Sequence, residues 1–370
     1  MRKMNIMGGV RTLSALALLT LMPLSFVSAQ NGETEAEPEP AIEAKLADES
    51  LLLDIVSYDG GYIAAGTRGH VLLSEDGRSW RQAQSVPVQA TLTRATSFGR
   101  RLWAVGHDAV IISSSDGGEN WFIQHREAQV DPDDPMIQAP ILDIMFMNPN
   151  EGFAIGAYGR FMTTADGGIN WEMHRLTDRV NSESIDWAAV ARQQGDIDTI
   201  PEEFQDAGND DLEATVNKGC YEFGECHLNA MIDLGNGRLM IAGEAGYGFR
   251  SNDEGATWES FRFPYPGSMF GLVEQRDCII AFGLRGHIQK SCDFGNSWDE
   301  VQTDSQQSLM GADINTTGTA VIVGAGATRI YVAPDGGVDT EADQLGSDYA
   351  AVKVVNDSMI LVGENGVRYE

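Results

Sequence analysis

Ser114-Ser115-Asp116-Gly117-Gly118-Glu119-Asn120-Trp121 decides the fold, because the chain repeats it. A hydroxyl residue, an Asp two on, a Gly two further and a Trp three after that return in Thr164–Trp171, Ser251–Trp258 and Ser291–Trp298. A shortened copy runs from Ser74 to Trp80. Ten residues before the Asp of each copy a Gly closes an apolar run: Gly66, Gly106, Gly156, Gly243 and Gly283. Two further runs, Val321–Gly324 and Met359–Gly363, lack the Trp, and the first leads to Asp335-Gly336-Gly337. The chain therefore holds seven units, and a repeat of this length sets the architecture before any single site is considered.

The runs are short, rich in Val, Ile and aromatics, and broken by Gly, Asn and Asp, which reads as strands. About twelve residues upstream of the repeat Gly lies another such run, as in Leu51–Val56, Ile141–Phe146 and Tyr349–Val354. Each unit is thus strand a, strand b ending at the Gly, strand c ending at the Asp turn, and strand d opening at the Trp. The expected fold is all-β, a seven-bladed β-propeller of four-stranded antiparallel blades. The Asp carboxylate of each turn can accept backbone N–H groups, the Gly supplies positive φ, and the Trp offers a large apolar face. Asp76, Trp80, Asp116, Trp121, Asp166, Trp171, Asp253, Trp258, Asp293 and Trp298 are accordingly assigned structural roles. The seventh unit stops near the end of its strand c, so the stretch Ile42–Asp48 is expected to supply its outer strand.

The Ser/Thr-x-Asp-x-Gly-x-x-Trp turn on such sheets resembles the Asp-box, or BNR, repeat of sialidases, some glucan hydrolases, sortilin-type receptors and photosystem II stability/assembly factors. The Ala104-Val105-Gly106 run followed by Ser114–Trp121, at a spacing of about 40 residues, is most similar to the last family. The resemblance covers roughly residues 45–370, interrupted once. It implies a non-enzymatic propeller that binds membrane-protein partners during assembly or repair. Relatives that belong with envelope export systems make a transporter as natural a partner as a photosystem.

Residues 1–29 read as a signal peptide: Arg2, Lys3 and Arg11 precede the apolar stretch Leu13–Val27, and Val27-Ser28-Ala29 is a small-residue cleavage site. The expected location is periplasmic or secreted, without membrane insertion after cleavage. The net charge is −30, and the leader holds three basic residues and no acid, so its loss makes the chain more negative still. Such a surface repels nucleic acid and anionic lipid. Residues 30–41 form an acidic, Pro- and Ala-containing lead-in expected to be disordered.

Four Cys in an exported chain suggest two disulfides. Cys278 opens strand b of the fifth unit and Cys292 lies in its strand c, so a hairpin brings them opposite each other. Cys220 and Cys226 then pair by elimination and proximity. Cys220, Cys226 and His227 are an alternative metal set with no obvious fourth ligand. No metal and no cofactor is expected.

An insertion over about 177–226, after the third blade, holds thirteen acids against three basic residues. Residues 182–194 and 201–217 are expected to be helical, with Trp187 packing inward. Propeller geometry puts the d–a and b–c loops on one face and the a–b and c–d loops on the other, so the Asp boxes lie opposite the insertion. On the insertion face the b–c turns gather Arg68, His70, Arg160, Tyr247, Arg285, His287 and Arg329, with Arg368 further along. This rim is the candidate partner-binding site of a monomer. Strand a lines the channel, where Asp54, Arg94 and Asp143 fall at equivalent positions as a candidate ion cluster.

The enzymatic alternative is a sialidase or other glycoside hydrolase on the same repeats, and a carbohydrate-binding propeller is a third reading. The Arg-Ile-Pro signature of sialidases is absent; Phe261-Arg262-Phe263-Pro264 echoes it loosely and in the wrong place. Acids suited to paired-carboxylate hydrolysis are abundant. The loops of six units are nevertheless short, and no nucleophile elbow, phosphate loop or zinc-protease motif occurs. The catalytic residues expected are none.

Overall fold

The computed structural model describes residues 38–127, 139–180, 226–343 and 346–370. The leader, most of the acidic lead-in, and the bulk of the insertion with its two expected helices and Cys220 lie outside them.

Seven sheets follow one another along the chain, each a meander of strands paired antiparallel in sequence order. Six have four strands and the last, over residues 349–369, has three. The first strands of the sheets are Leu52–Tyr58, Leu92–Phe98, Ile141–Phe146, Leu228–Asp233, Met269–Gln275, Leu309–Ile314 and Tyr349–Val355. Each lies against the next, and the last lies against the first, which closes a ring with these strands innermost. The all-β seven-bladed propeller read from the repeats is the fold of the described chain.

The core is a set of layers between blades. Ile63, Leu73 and Val71 of the first blade meet Leu102, Ala104 and Trp121 of the second. Leu52, Ile55 and Leu72 meet Ala351, Ile360 and Val362 of the seventh. Second strands are therefore apolar on both faces: Ile63, Ala64 and Ala65 are all buried, as are Leu102, Trp103, Ala104 and Val105. That explains the continuous apolar runs before each repeat Gly, where a half-exposed strand would alternate.

The repeat Gly is fixed by close approach of two backbones. Gly106 has an extended φ of −179°, which any residue adopts. A Cβ there would lie 2.0 Å from the Thr91 carbonyl oxygen at the entrance to the same blade's inner strand. The crowding arises because the next residue, His107, donates its N–H to that carbonyl at 2.9 Å. The same bond recurs around the ring, from Thr67 to Leu51, Ala157 to Pro140, Glu244 to His227, Leu284 to Ser268, Ala325 to Ser308 and Glu364 to Asp348.

Every inner strand also carries one bulge, between its first two pairs with its neighbour. Leu52 and Asp54 pair with Gly66 and Ala65, leaving Leu53 extra. Thr93, Leu142, Asn229, Phe270, Met310 and Ala350 are the corresponding residues of the other blades. A bulge leaves its residue out of the ladder and turns it away from the sheet.

Ile42–Asp48 does not become the fourth strand of the seventh blade. Gln82, in the outer strand of the first blade, takes this segment's polar groups: its Oε1 accepts Ala44 N–H and its Nε2 donates to Ile42 O, both at 3.0 Å. A short 3-10 turn at Ala47–Glu49 follows, and Ala44 and Ala47 pack with Trp80, Val367 and Tyr369. The segment thus covers the edge of the last blade with apolar side chains rather than with a hydrogen-bonded ladder.

Candidate functional site

The two ends of the ring are built differently. At one end the a–b and Asp-box turns of adjacent blades are stitched together. Tyr58 Oη donates to Gly117 O at 3.0 Å, and Arg101 donates to Pro149 O and Gly167 O. Arg250 reaches Phe294 O and Asn296 Oδ1 of the next blade's box. Within each box the Asp holds the turn. Asp293 Oδ1 accepts Ser297 N–H at 2.9 Å, its Oδ2 accepts the Ser297 hydroxyl at 2.6 Å, and Ser291 donates to Oδ1 at 2.8 Å. These bonds, the Ser297 hydroxyl first, bring the Asp293 carboxyl down to about 2. The Gly of the box leans on the preceding blade: a Cβ on Gly118 would meet Leu73 at 2.6 Å. Trp121 is buried and donates its indole N–H to Gly118 O at 2.8 Å. The box carboxylates are engaged within their own turns, and the box glycine packs on the blade before.

At the other end lie the b–c turns. Each of the first five makes a 3-10 turn whose central residue is left-handed without being Gly: Arg68 (φ 58°), Asp108 (60°), Tyr158 (54°), Ala245 (52°) and Arg285 (57°). The conformation costs strain and turns these side chains away from the sheet. Arg68, Asp108, Tyr158 and Arg285 are exposed. Two residues on, at the start of strand c, side chains point back between blades, and the expected rim divides accordingly.

His70 is buried, and burial together with the nearby Arg68 lowers its pKa, so it is neutral at pH 7. Arg160 is 1% exposed and clasps Glu127 through Nη1 at 2.5 Å and Nη2 at 3.0 Å. Tyr247 is buried beneath the Arg262 guanidinium, 3.8 Å from its ring centre. His287 stacks on Tyr265 at 3.6 Å and meets Glu300 at 2.9 Å. Arg329 contacts Glu370, Glu341 and the Tyr349 hydroxyl. Of the expected rim only Arg68 and Arg285 stand open, and Arg368 is exposed as well. The sequence reading missed Asp108 and Tyr158, whose signal was their place two residues after the repeat Gly.

The channel trio does come together. Arg94 lies 3.5 Å from both Asp54 and Asp143. Each Asp also accepts a backbone N–H from the next blade's inner strand: Asp54 from Ala95 at 2.8 Å and Asp143 from Met231 at 2.7 Å. Asp313 does the same for Val354 at 2.7 Å, with Lys353 at 3.1 Å as its cation. Inner strands have one edge without a partner strand, and these carboxylates satisfy amides that would otherwise be unpaired. Burial works against the Arg94 charge, but the two carboxylates outweigh it and raise its pKa. Burial pushes the Asp143 carboxyl up. Both acids are committed to holding blades together, unlike the free acid and base of a glycosidase pair.

Cys278 and Cys292 form a disulfide across the hairpin of the fifth blade, with Cα atoms 4.1 Å apart. Cys226 is buried and disulfide-bonded, and its carbonyl accepts Gly159 N–H at 2.7 Å, which ties the end of the insertion to a b–c turn. Among the described residues no group of three or more His, Cys, Asp or Glu could hold a metal ion.

Residues 128–202 match the family model described as photosynthesis system II assembly factor YCF48. No curated protein matches the chain. Among solved structures, "YCF48 bound to D1 peptide" is similar at 15% identity and a TM-score of 0.58, over 92% of this chain and 98% of that one. YCF48 from Cyanidioschyzon merolae is similar at 19% identity and a TM-score of 0.58, over 89% and 97%. The WD40 β-propeller domain of Doa1 reaches the same TM-score at 12% identity, over 90% and 96%. The structural likenesses speak for the fold alone, and the family-model match makes residues 128–202 similar to the photosystem II assembly factors.

Proposed function

We propose that this chain is a non-enzymatic, protein-binding assembly or accessory factor for a membrane-protein complex. The observation that carries the reading is the match to an assembly-factor model, on a ring whose channel carboxylates are engaged in structure. A propeller of similar fold has been solved bound to D1 peptide, which supports a peptide-binding reading. The signal peptide-like leader supports action outside the cytoplasm, and the reading extends to a monomer that serves an envelope transporter rather than a photosystem. Nucleic acid is no part of this reading.

Affinity purification of the tagged chain from crosslinked membranes tests the proposal. The expected result is enrichment of a membrane-protein complex, lost in the Arg68→Glu/Arg285→Glu double variant while the thermal melt is unchanged. Hydrolysis of sialosides or β-glucans, abolished by Asp54→Asn or Asp143→Asn, would overturn it.

A further inference from the structure

The bulges of the seven inner strands converge on one cavity. It has a volume of about 510 Å³, and its lining includes Leu53, Thr93, Leu142, Asn229, Phe270, Met310 and Ala350, one residue from every blade. A space touched by all seven inner strands lies on the axis of the ring. Leu51, Asp348 and Glu364 also line it. These belong to the d–a and b–c loops joined by the Thr67–Leu51 and Glu364–Asp348 bonds, so the cavity sits at the end of the ring opposite the Asp boxes. Its volume is in the range of roughly 300–1,000 Å³ typical of built ligand sites.

The lining is apolar by construction. The two polar bulge residues spend their hydrogen bonds on neighbouring blades: Thr93 Oγ1 donates to Ile141 O at 2.6 Å and Asn229 Nδ2 to Met269 O at 2.9 Å. Leu53, Leu142, Phe270 and Met310 are left to form the wall, and Met310 is 38% exposed. Acids outnumber cations at the site. Asp348 and Glu364 are exposed at the lining, and the one cation there, Arg94, is already matched at 3.5 Å by Asp54 and Asp143, which lie outside the lining. An apolar cup with a surplus of acids complements a bulky apolar side chain flanked by cations, and disfavours the same side chain flanked by acids.

We infer that this axial cup binds a partner peptide that presents a Phe, Leu or Met next to Lys or Arg. The inference rests on the protein-binding reading for its biological meaning, but the site is testable alone. The probe is a fluorescein-labelled Gly-Lys-Phe-Lys-Gly peptide, followed by anisotropy on the full chain at low ionic strength. Saturable binding is expected, weakened at least tenfold when the peptide's Phe becomes Ala or its Lys residues become Glu. Ala350→Trp, which fills the cup, and Met310→Arg, which places a cation in it, should each cost a similar factor. Glu364→Lys is exposed and serves as the variant least able to disturb folding; it should weaken binding at least threefold. Absence of saturable binding, equal affinity for the Glu-flanked peptide, or indifference to both Glu364→Lys and Met310→Arg overturns the inference. A chain that captures a membrane complex yet ignores the peptide keeps the proposed function and loses the cup. One that binds the peptide but captures no complex keeps the cup and loses the proposed function.

Discussion

Asp143 of the third blade accepts the backbone N–H of Met231 in the fourth at 2.7 Å, across a junction that the insertion separates in sequence by tens of residues. Its other oxygen takes Ile144 N–H at 2.8 Å and faces Arg94. Asp143→Ala should therefore orphan two amides and half-strip a half-buried cation. The expected loss is about 2–4 kcal/mol, chiefly from the two buried amides left without an acceptor. Asp143→Asn keeps an acceptor and should cost less. Urea unfolding of both variants ranks them.

The crowding behind the repeat Gly makes a graded prediction. A Cβ at position 106 would lie 2.0 Å from a backbone oxygen, whereas at Gly243 the nearest atom is 2.9 Å away. Gly106→Ala should destabilise by about 1–3 kcal/mol, the usual cost of overpacking. Gly243→Ala should cost clearly less. Equal melting temperatures for the two would contradict the close-approach explanation.

Acid should loosen the Asp-box end of the ring. Hydrogen bonds from backbone and hydroxyl donors depress the carboxyls of Asp76, Asp166 and Asp293 below the ordinary value of 3.8, the last to about 2. A depressed native pKa stabilises above the unfolded value and ceases to do so as pH falls through the native one. The contribution should thus disappear between about pH 4 and 2, and Asp293→Asn should flatten that part of the stability–pH curve. Chemical denaturation across this window measures it.

Two Trp residues at the same repeat position should respond differently to Phe. Trp121 donates to Gly118 O at 2.8 Å, while the buried indole N–H of Trp298 has no partner among the described residues. Trp121→Phe should cost about 1–3 kcal/mol from the orphaned group and lost volume. Trp298→Phe loses volume but no hydrogen bond, so its cost should be smaller.

Reducing the Cys278–Cys292 bridge, which closes a 14-residue separation, should lower stability by up to about 3 kcal/mol. Melting curves of Cys278→Ser/Cys292→Ser against the parent chain give the value.

What could be read from the residues follows from how local each signal is. The Asp-box turn is self-contained: Ser114, Asp116, Gly118, Asn120 and Trp121 bond mainly to one another. The hairpin disulfide is equally local. The rim was half legible, because spacing from the repeat Gly gives the turn but not its handedness. Left-handed backbone at Arg68 throws that side chain outward, while His70, two residues later, returns to the interior. The fate of Ile42–Asp48 turned on Gln82, forty residues away and on another blade, and no pattern within the segment announces that contact. The bulges were invisible for a similar reason. One extra residue in a strand of six or seven disturbs an apolar run very little, yet it aims seven side chains at one point.

The join between the seventh and first sheets is a seam without thread. Everywhere else among the described residues each blade is completed by its own outermost strand, whereas here Ala44 and Ala47 lie like a strip of putty along the edge. Closure here rests on side-chain packing, so a charged residue in place of Ala47 is expected to loosen this junction more than the same change at an exposed site of the ring.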